Sequence, residues 1–394
     1  MSFSIHWNDV PEAADSDDNM ARLRLIPDES RRLCASDGIT HTFIEGDNYP
    51  ALRLLLAERA EAVDVIYIDP PYNTRKTHFT YNDSFSDDEW LSFMRRRLEC
   101  ATRLLKQSGC IFIAIGTERV HMLKLLCDSI FGAENFINDF MWLHGKGKKD
   151  SFSRTMQQST LCYAKNKRAL HPFCDFEYTD WAKTNADGDV RGAWFSGSIS
   201  FSEERSNPAH PNYYQITSPS GKVWKRQWLI SRAQMDALIA EGKIYWGQAP
   251  QYDNVPRRKI FNGEKSPIIP KNMIDDADST RAAQGYVDAL LGERGAFDNP
   301  KPVNLIAHLL RITAMPNDST VLDFFAGSGT TLEAVTALNA EDGGKRRCIL
   351  IQKAETITRK ESVFKTIADL CYERIKRVLA QTRNGLDYYS LSEK

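Results

Sequence analysis

The chain has 394 residues, 42% of them apolar, enough to bury a full α/β core and carry a further domain. Its formal net charge is −1, so no global basicity advertises nucleic-acid binding and any such surface must be local. Eight cysteines without a CxxC or close His/Cys spacing support neither a disulfide framework nor a metal site, and the longest apolar stretches are strand-sized, so neither a signal peptide nor a membrane span is read here and a cytoplasmic location is expected.

Residues 1–38, rich in Asp, Glu and Arg, read as a loosely packed arm. Organised α/β signal follows: a strand at 41–45, a helix at 49–59, a strand at 63–68, a helix at 87–107, a strand at 110–115 and a helix at 119–130. Between 167 and 298 this rhythm stops. Trp181, Trp194, Phe195, Tyr213, Trp224, Trp228, Tyr245 and Trp246 stand there among Gly, Pro and Asn, and Pro219-Ser220-Gly221 reads as a hairpin turn between strands at 214–217 and 223–224. This stretch is expected to be a β-rich module inserted between two halves of one domain, 39–166 and 299–394. The second half supplies strands at 319–323 and 348–351, a helix through 331–338, and an amphipathic helix at 361–379 whose apolar face is expected to pack. Alternating short strands and helices predict an α/β fold with a mostly parallel sheet and helices on both faces.

Asp69-Pro70-Pro71-Tyr72 follows directly on the buried run Val65-Ile66-Tyr67-Ile68. The two prolines donate no N–H and hold φ near −65°, which leaves backbone carbonyls free as acceptors beside a carboxylate and an aromatic ring. An amino group lying flat against Tyr72 could give one N–H to Asp69 and the other to the Pro70 carbonyl. A strand-ending turn that merely contains Asp and Pro would look the same locally.

The second motif is Asp323-Phe324-Phe325-Ala326-Gly327-Ser328-Gly329-Thr330-Thr331, a strand end, a glycine loop and a helix start. Glycines let the backbone approach a ligand, and the helix N-terminus attracts anionic groups. A dinucleotide fingerprint would place a third glycine where Leu332 stands, and a P-loop would need a lysine after the second glycine.

Together the two motifs resemble the β group of DNA amino-methyltransferases, in which the catalytic tetrapeptide precedes the cofactor loop and a target-recognition domain separates them. The stretches Asn73-Thr74, 131–136 and 163–166 resemble the modification (Mod) subunits of type III restriction-modification systems, and the resemblance covers about residues 39–379. It implies a Rossmann-like methyltransferase sheet with an inserted target-recognition domain, S-adenosyl-L-methionine as cofactor, and adenine-N6 methylation of a base flipped out of double-stranded DNA. It assigns Asp69, Pro70, Pro71 and Tyr72 to catalysis. Asp47, Lys301, Asp323, Phe325, Ala326, Gly327, Gly329, Thr330, Thr331 and Gln352 fall to the cofactor. Gln352 stands where many methyltransferases carry an acid for the ribose hydroxyls, and Gly116-Thr117-Glu118 departs from a usual acidic pair. Cytosine-N4 methylation and a non-catalytic DNA-binding subunit are the alternatives; RNA methylation fits the motif order less well. A homodimer and a restriction subunit are open as partners, and no membrane is expected. Lys146, Lys148 and Lys149, between glycines, read as a basic loop for DNA phosphates, although a solvated face carries the same signature.

Overall fold

The computed structural model describes residues 5–74, 83–144, 152–178, 184–357, 359 and 362–393. Lys146, Lys148 and Lys149 lie outside the described residues. Helix α1 (Asp17–Arg22) and strand β1 (Leu23–Pro27) lead into β2 (Thr40–Glu45), α2 (Asn48–Arg59), β3 (Val63–Ile68), α3 (Asp87–Leu104), β4 (Leu105–Ile115) and α4 (Val120–Phe131). After β5 (Phe136–Leu143) and β6 (Gln157–Ala164) come β7 (Asp175–Tyr178), β8 (Trp194–Ser198), β9 (Tyr213–Thr217), β10 (Val223–Gln227), α5 (Arg232–Ala240), β11 (Ile244–Tyr245), β12 (Arg257–Phe261) and β13 (Lys265–Ile268). The chain closes with β14 (Met273–Ile274), α6 (Thr280–Leu291), α7 (Val303–Ile312), β15 (Thr320–Asp323), α8 (Thr330–Asp342), β16 (Arg347–Gln352), α9 (Ile367–Leu379) and β17 (Gly385–Glu393).

The first compact unit joins Met1–Cys174 to Pro270–Lys394. Its ten-stranded sheet runs β1-β17-β2-β16-β15-β3-β4-β6-β5-β14, and neighbours from β17 to β4 are all parallel. Every residue of β3 is buried, as a strand covered on both faces requires. Val65 and Tyr67 pack into one core and Ile66 and Ile68 into the other, the period-2 alternation of a strand between two helical layers. The buried Asp64 is paired, accepting from the Thr320 N–H at 2.9 Å and from Lys106 at 2.8 Å.

Several boundaries differ from the sequence reading. The N-terminal arm is docked, because Asp9, Glu12 and Asp15 form ion pairs with Arg96 and Arg97 on α3, whose guanidiniums are almost fully buried. The helix expected at 87–107 ends at Leu104, since Leu105 turns extended and pairs with Val63. The C-terminal helix starts at Ile367 rather than 361, with Thr366 as its N-cap. Strands β5, β6 and β17 were not anticipated; β17 adds parallel to β2 and receives β1 on its outer edge.

The second unit is Asp175–Ile269, narrower than the expected 167–298. Residues beyond Ile269 belong to the first unit, where β14 pairs with β5 and α6 packs on α9. Within the second unit the expected hairpin is β9 paired with β10, and β11-β12-β8 and β13-β7 form two further small sheets. Ile199, Ile216, Trp228, Met235, Ile244 and Trp246 make its core.

Candidate functional site

Strand order places the two motifs side by side. β15 pairs with β3 through Val321↔Val65 and Leu322↔Ile66, so the turn after β3 and the loop after β15 leave the same edge of the sheet. From this pair the chain proceeds to β16 on one side and to β4 on the other, the switch point at which open α/β sheets form their ligand crevice. A cavity of about 760 Å³ opens there, lined by Asp69–Tyr72, Phe325–Ser328, Asp47, Gln352, Lys301 and Phe297 among others. That volume is within the roughly 300–1,000 Å³ that small-molecule sites occupy.

The tetrapeptide is held from several directions. Tyr72 donates its hydroxyl to Asp69 Oδ1 at 2.7 Å and accepts from Gln158 Nε2, on β6, at 2.6 Å. Lys301 Nζ lies 2.5 Å from Asp69 Oδ2 and 5.3 Å from the centre of the Tyr72 ring. Trp90 Nε1 donates to the Pro71 carbonyl at 2.9 Å, whereas no donor among the described residues is paired with the Pro70 carbonyl. Beyond Tyr72 the backbone turns through Asn73 at φ +55°. The buried Asp83 fixes that turn, accepting from the N–H groups of Asn73 at 2.7 Å and Thr74 at 3.0 Å. Gly116, unassigned from sequence, lies against Tyr72: a Cβ there would stand 3.2 Å from Tyr72 Cδ2.

The glycine loop is tied largely to itself and its neighbours. Asp323 accepts from the Phe325 N–H at 2.9 Å and from Thr331 Oγ1 at 2.5 Å, so its carboxylate staples the loop. Burial pushes the Asp323 carboxyl up to about 7, against the Thr331 and Phe325 hydrogen bonds and with help from the charge of Asp69. The Ala326 N–H donates to the Ile351 carbonyl, and the Gly327 N–H to Gln352 Oε1 at 2.7 Å. Phe325 packs its ring against Phe93. Gly327 and Gly329 both have positive φ, but they serve different surroundings. A Cβ on Gly327 would come within 3.1 Å of Phe297 Cζ in the cavity wall, while one on Gly329 would meet Cys371 Sγ at 3.1 Å and Ile375 Cγ1 at 3.3 Å in α9. The space beside Gly329 is therefore taken by helix packing, whereas the space beside Gly327 is the cavity wall. Thr330 Oγ1 accepts from Arg374 at 2.8 Å.

Asp47 is the N-cap of α2, accepting from the Tyr49 N–H at 3.0 Å and from Arg97 at 3.2 Å. The next residue, Asn48, donates to the Phe324 carbonyl at 2.6 Å, which joins the start of α2 to the glycine loop. Lys301, expected on the cofactor, lines the same cavity and is paired there with Asp69. Sequence reasoning missed Asp83, Gln158, Arg97 and Arg374. Arg374 carried a readable signal: it occupies the apolar stripe Ile367, Leu370, Cys371, Ile375 and Val378 of α9, where an unpartnered arginine would be costly. In the structure it is 1% exposed and donates to Ser328, Thr330 and Glu333.

Fold and site define a doubly wound α/β protein with a glycine loop and an Asp-Pro-Pro-Tyr turn at one switch point. Residues 63–363 match the family model N6_N4_Mtase, described as DNA methylase, and the chain belongs to that family. It is 33% identical to the type III restriction-modification enzyme StyLTI Mod subunit of Salmonella typhimurium, over 91% of this chain and 60% of that protein. Identity is 30% with the EcoPI Mod subunit of Escherichia phage P1, over 87% and 63%. With the type II methyltransferase M.KpnI of Klebsiella pneumoniae it is 28%, over 95% and 96%. The chain thus spans less than two thirds of the length of the two Mod subunits and nearly all of the type II enzyme. Among the described residues no helix is long and apolar enough to cross a membrane, and no cluster of three or more His, Cys, Asp or Glu is arranged to hold a metal.

Proposed function

We propose that the chain is a site-specific DNA methyltransferase that moves a methyl group from S-adenosyl-L-methionine to adenine N6 of a base flipped out of double-stranded DNA. The observation that carries this reading is the Asp69–Tyr72 turn facing the Phe325–Ser328 loop across one cavity. The residues present fit the cofactor: the bare backbone at Gly327 opens a cradle that a Cβ would fill, and Asp47 and Gln352 offer oxygen acceptors in the same wall. Ala326, Thr330 and Thr331 would shape that cradle, with Asp323 holding it in place. S-adenosyl-L-methionine supplies, when bound, an electrophilic methyl group on a sulfonium.

A nucleobase amine is a poor nucleophile because its lone pair is delocalised into the ring. Asp69 and the Pro70 carbonyl would accept its two N–H bonds and favour a pyramidal nitrogen whose lone pair points into the cavity. That gain is positioning and electrostatic complementarity. Tyr72 would stack on the flipped base, its ring oriented by Gln158 and by Asp69 itself. The proton leaves the amine after transfer, so Asp69 acts as an acceptor of hydrogen bonds and need not be a strong base. Asp at the head of the tetrapeptide favours adenine; cytosine N4 is the second reading.

The second unit, Asp175–Ile269, is assigned the reading of DNA sequence. It places Trp224 between Lys222 and Arg226, a cationic and aromatic surface suited to DNA. Lys146, Lys148 and Lys149 would contact phosphates. A homodimer and a restriction subunit are the further partners the type III likeness suggests. Modification-sensitive sequencing of DNA from cells expressing the protein tests the reading, since it reports base, position and recognition sequence together. DNA free of new N6-methyladenine and N4-methylcytosine would sink it.

A further inference from the structure

We propose that Lys301 is a positioning residue for Asp69, fixing the carboxylate that receives the target amine, and is not a ligand of the cofactor. The inference rests on the amine-methylation reading above. Lys301 is an awkward residue where it stands. Its side chain is 9% exposed, and it immediately precedes Pro302, the N-cap of α7, where the helix dipole favours anions over cations. A buried ion pair is in general a weak source of stability, because desolvating both charges offsets their attraction. The placement is understandable if the ammonium is needed at Asp69.

The geometry shows what it does there. Carboxylate torsions are soft and broadly populated, so a lone Asp at a strand end would swing. Here Oδ2 is taken by Lys301 at 2.5 Å and Oδ1 by the Tyr72 hydroxyl at 2.7 Å, and that hydroxyl is held in turn by Gln158 at 2.6 Å. Both oxygens are pinned, so the carboxylate plane is set before any base arrives. A carboxylate offers about four lone-pair sites, so two donors still leave room for an amine N–H. Lys301 also lies 5.3 Å from the Tyr72 ring centre, and one ammonium thereby orients both the acceptor and the stacking ring. Residue 301 reaches this position across 232 residues of sequence, by the pairing of β3 with β15 and the packing of α7 on α8.

The test compares Lys301→Met and Lys301→Arg with the wild-type protein in three measurements: calorimetric affinity for S-adenosylhomocysteine, melting temperature, and single-turnover methyl transfer to DNA carrying the recognition sequence. Lys301→Met should bind the cofactor product within about threefold of wild type while transfer slows about 100-fold, the loss expected of a misplaced reacting group. Lys301→Arg retains a cation and should recover about tenfold of that loss. Should the Met variant fail to fold, the Arg variant carries the test, with unchanged affinity and intermediate transfer expected. Affinity falling in step with transfer would make Lys301 a cofactor ligand, and transfer at the wild-type rate in Lys301→Met would remove any role; either result overturns the proposal. A wild-type protein that methylates no DNA would instead defeat the functional reading itself.

Discussion

The Tyr72 hydroxyl donates to Asp69 Oδ1 at 2.7 Å, so the aromatic ring and the carboxylate of the tetrapeptide are one hydrogen-bonded unit. Tyr72→Ala removes both ring and hydroxyl. It should cost on the order of 1–3 kcal/mol in transfer through lost stacking alone. Tyr72→Phe keeps the ring but leaves Gln158 Nε2 and one side of Asp69 unpaired, and should fall between Ala and wild type in single-turnover rate. A Phe variant as slow as Ala would mean that the hydroxyl, and not the ring, is the working part.

The two loop glycines should separate in their effects. Gly329→Ala forces a side chain at φ +84° against Cys371 and Ile375, and is expected to cost about 1–3 kcal/mol of stability, read as a lower denaturation midpoint. Gly327→Val intrudes on the cavity beside Phe297, and its main effect should be lost cofactor affinity by calorimetry. Wild-type affinity in Gly327→Val would refute the cradle.

Arg374 braces the loop from inside the core through Ser328, Thr330 and Glu333. Arg374→Met leaves Glu333 without its buried partner and should destabilise the fold by about 3–5 kcal/mol in chemical denaturation. The double variant with Glu333→Gln should recover part of that loss. A double variant no more stable than Arg374→Met would show that the pair itself is not what is being broken.

Asp323 gives a pH signature. Burial raises its carboxyl from 3.8 to about 7, so the fold holds a proton there that the unfolded chain has already released. Its contribution to stability is therefore full below about pH 4 and is lost as pH rises through about 7. His41 acts in the opposite sense. Burial, opposed by the Asn384 hydrogen bond, lowers its imidazole from 6.5 to about 4, so its contribution is present above 6.5 and lost on acidification. Asp323→Asn should gain melting temperature relative to wild type between pH 4 and pH 7. A difference between the two proteins that stays flat across that range would contradict the assignment.

Sequence preference should travel with Asp175–Ile269 and not with the flanking unit. Replacing that segment by its counterpart from a relative, then sequencing the modified DNA, checks this. A folded chimera that binds cofactor and still modifies the host's original site would place recognition elsewhere. Changing a base-reading side chain within the segment should relax one position by about 1–3 kcal/mol.

The sequence by itself determined the local features: the buried strand 63–68 from its apolar run, the tetrapeptide, the strand-loop-helix at 319–338 and the hairpin around Gly221. Each depends on period, proline and glycine within a few residues, so each is legible without the rest of the chain. Tertiary structure decided which distant groups meet. Val65↔Val321 pairing brings residue 69 to residue 327 across about 250 positions, and no periodicity encodes that register. The partner of Lys301 was decided the same way, as were Asp83 clamping the turn after Tyr72 and the carboxylates of residues 9–15 drawing an expected loose arm onto α3. A charged side chain in a sequence usually reads as solvated; the apolar stripe of α9 hints at Arg374, but only the fold reveals that Arg97 is buried and which groups partner both, because burying a charge depends on a partner supplied from elsewhere in the chain.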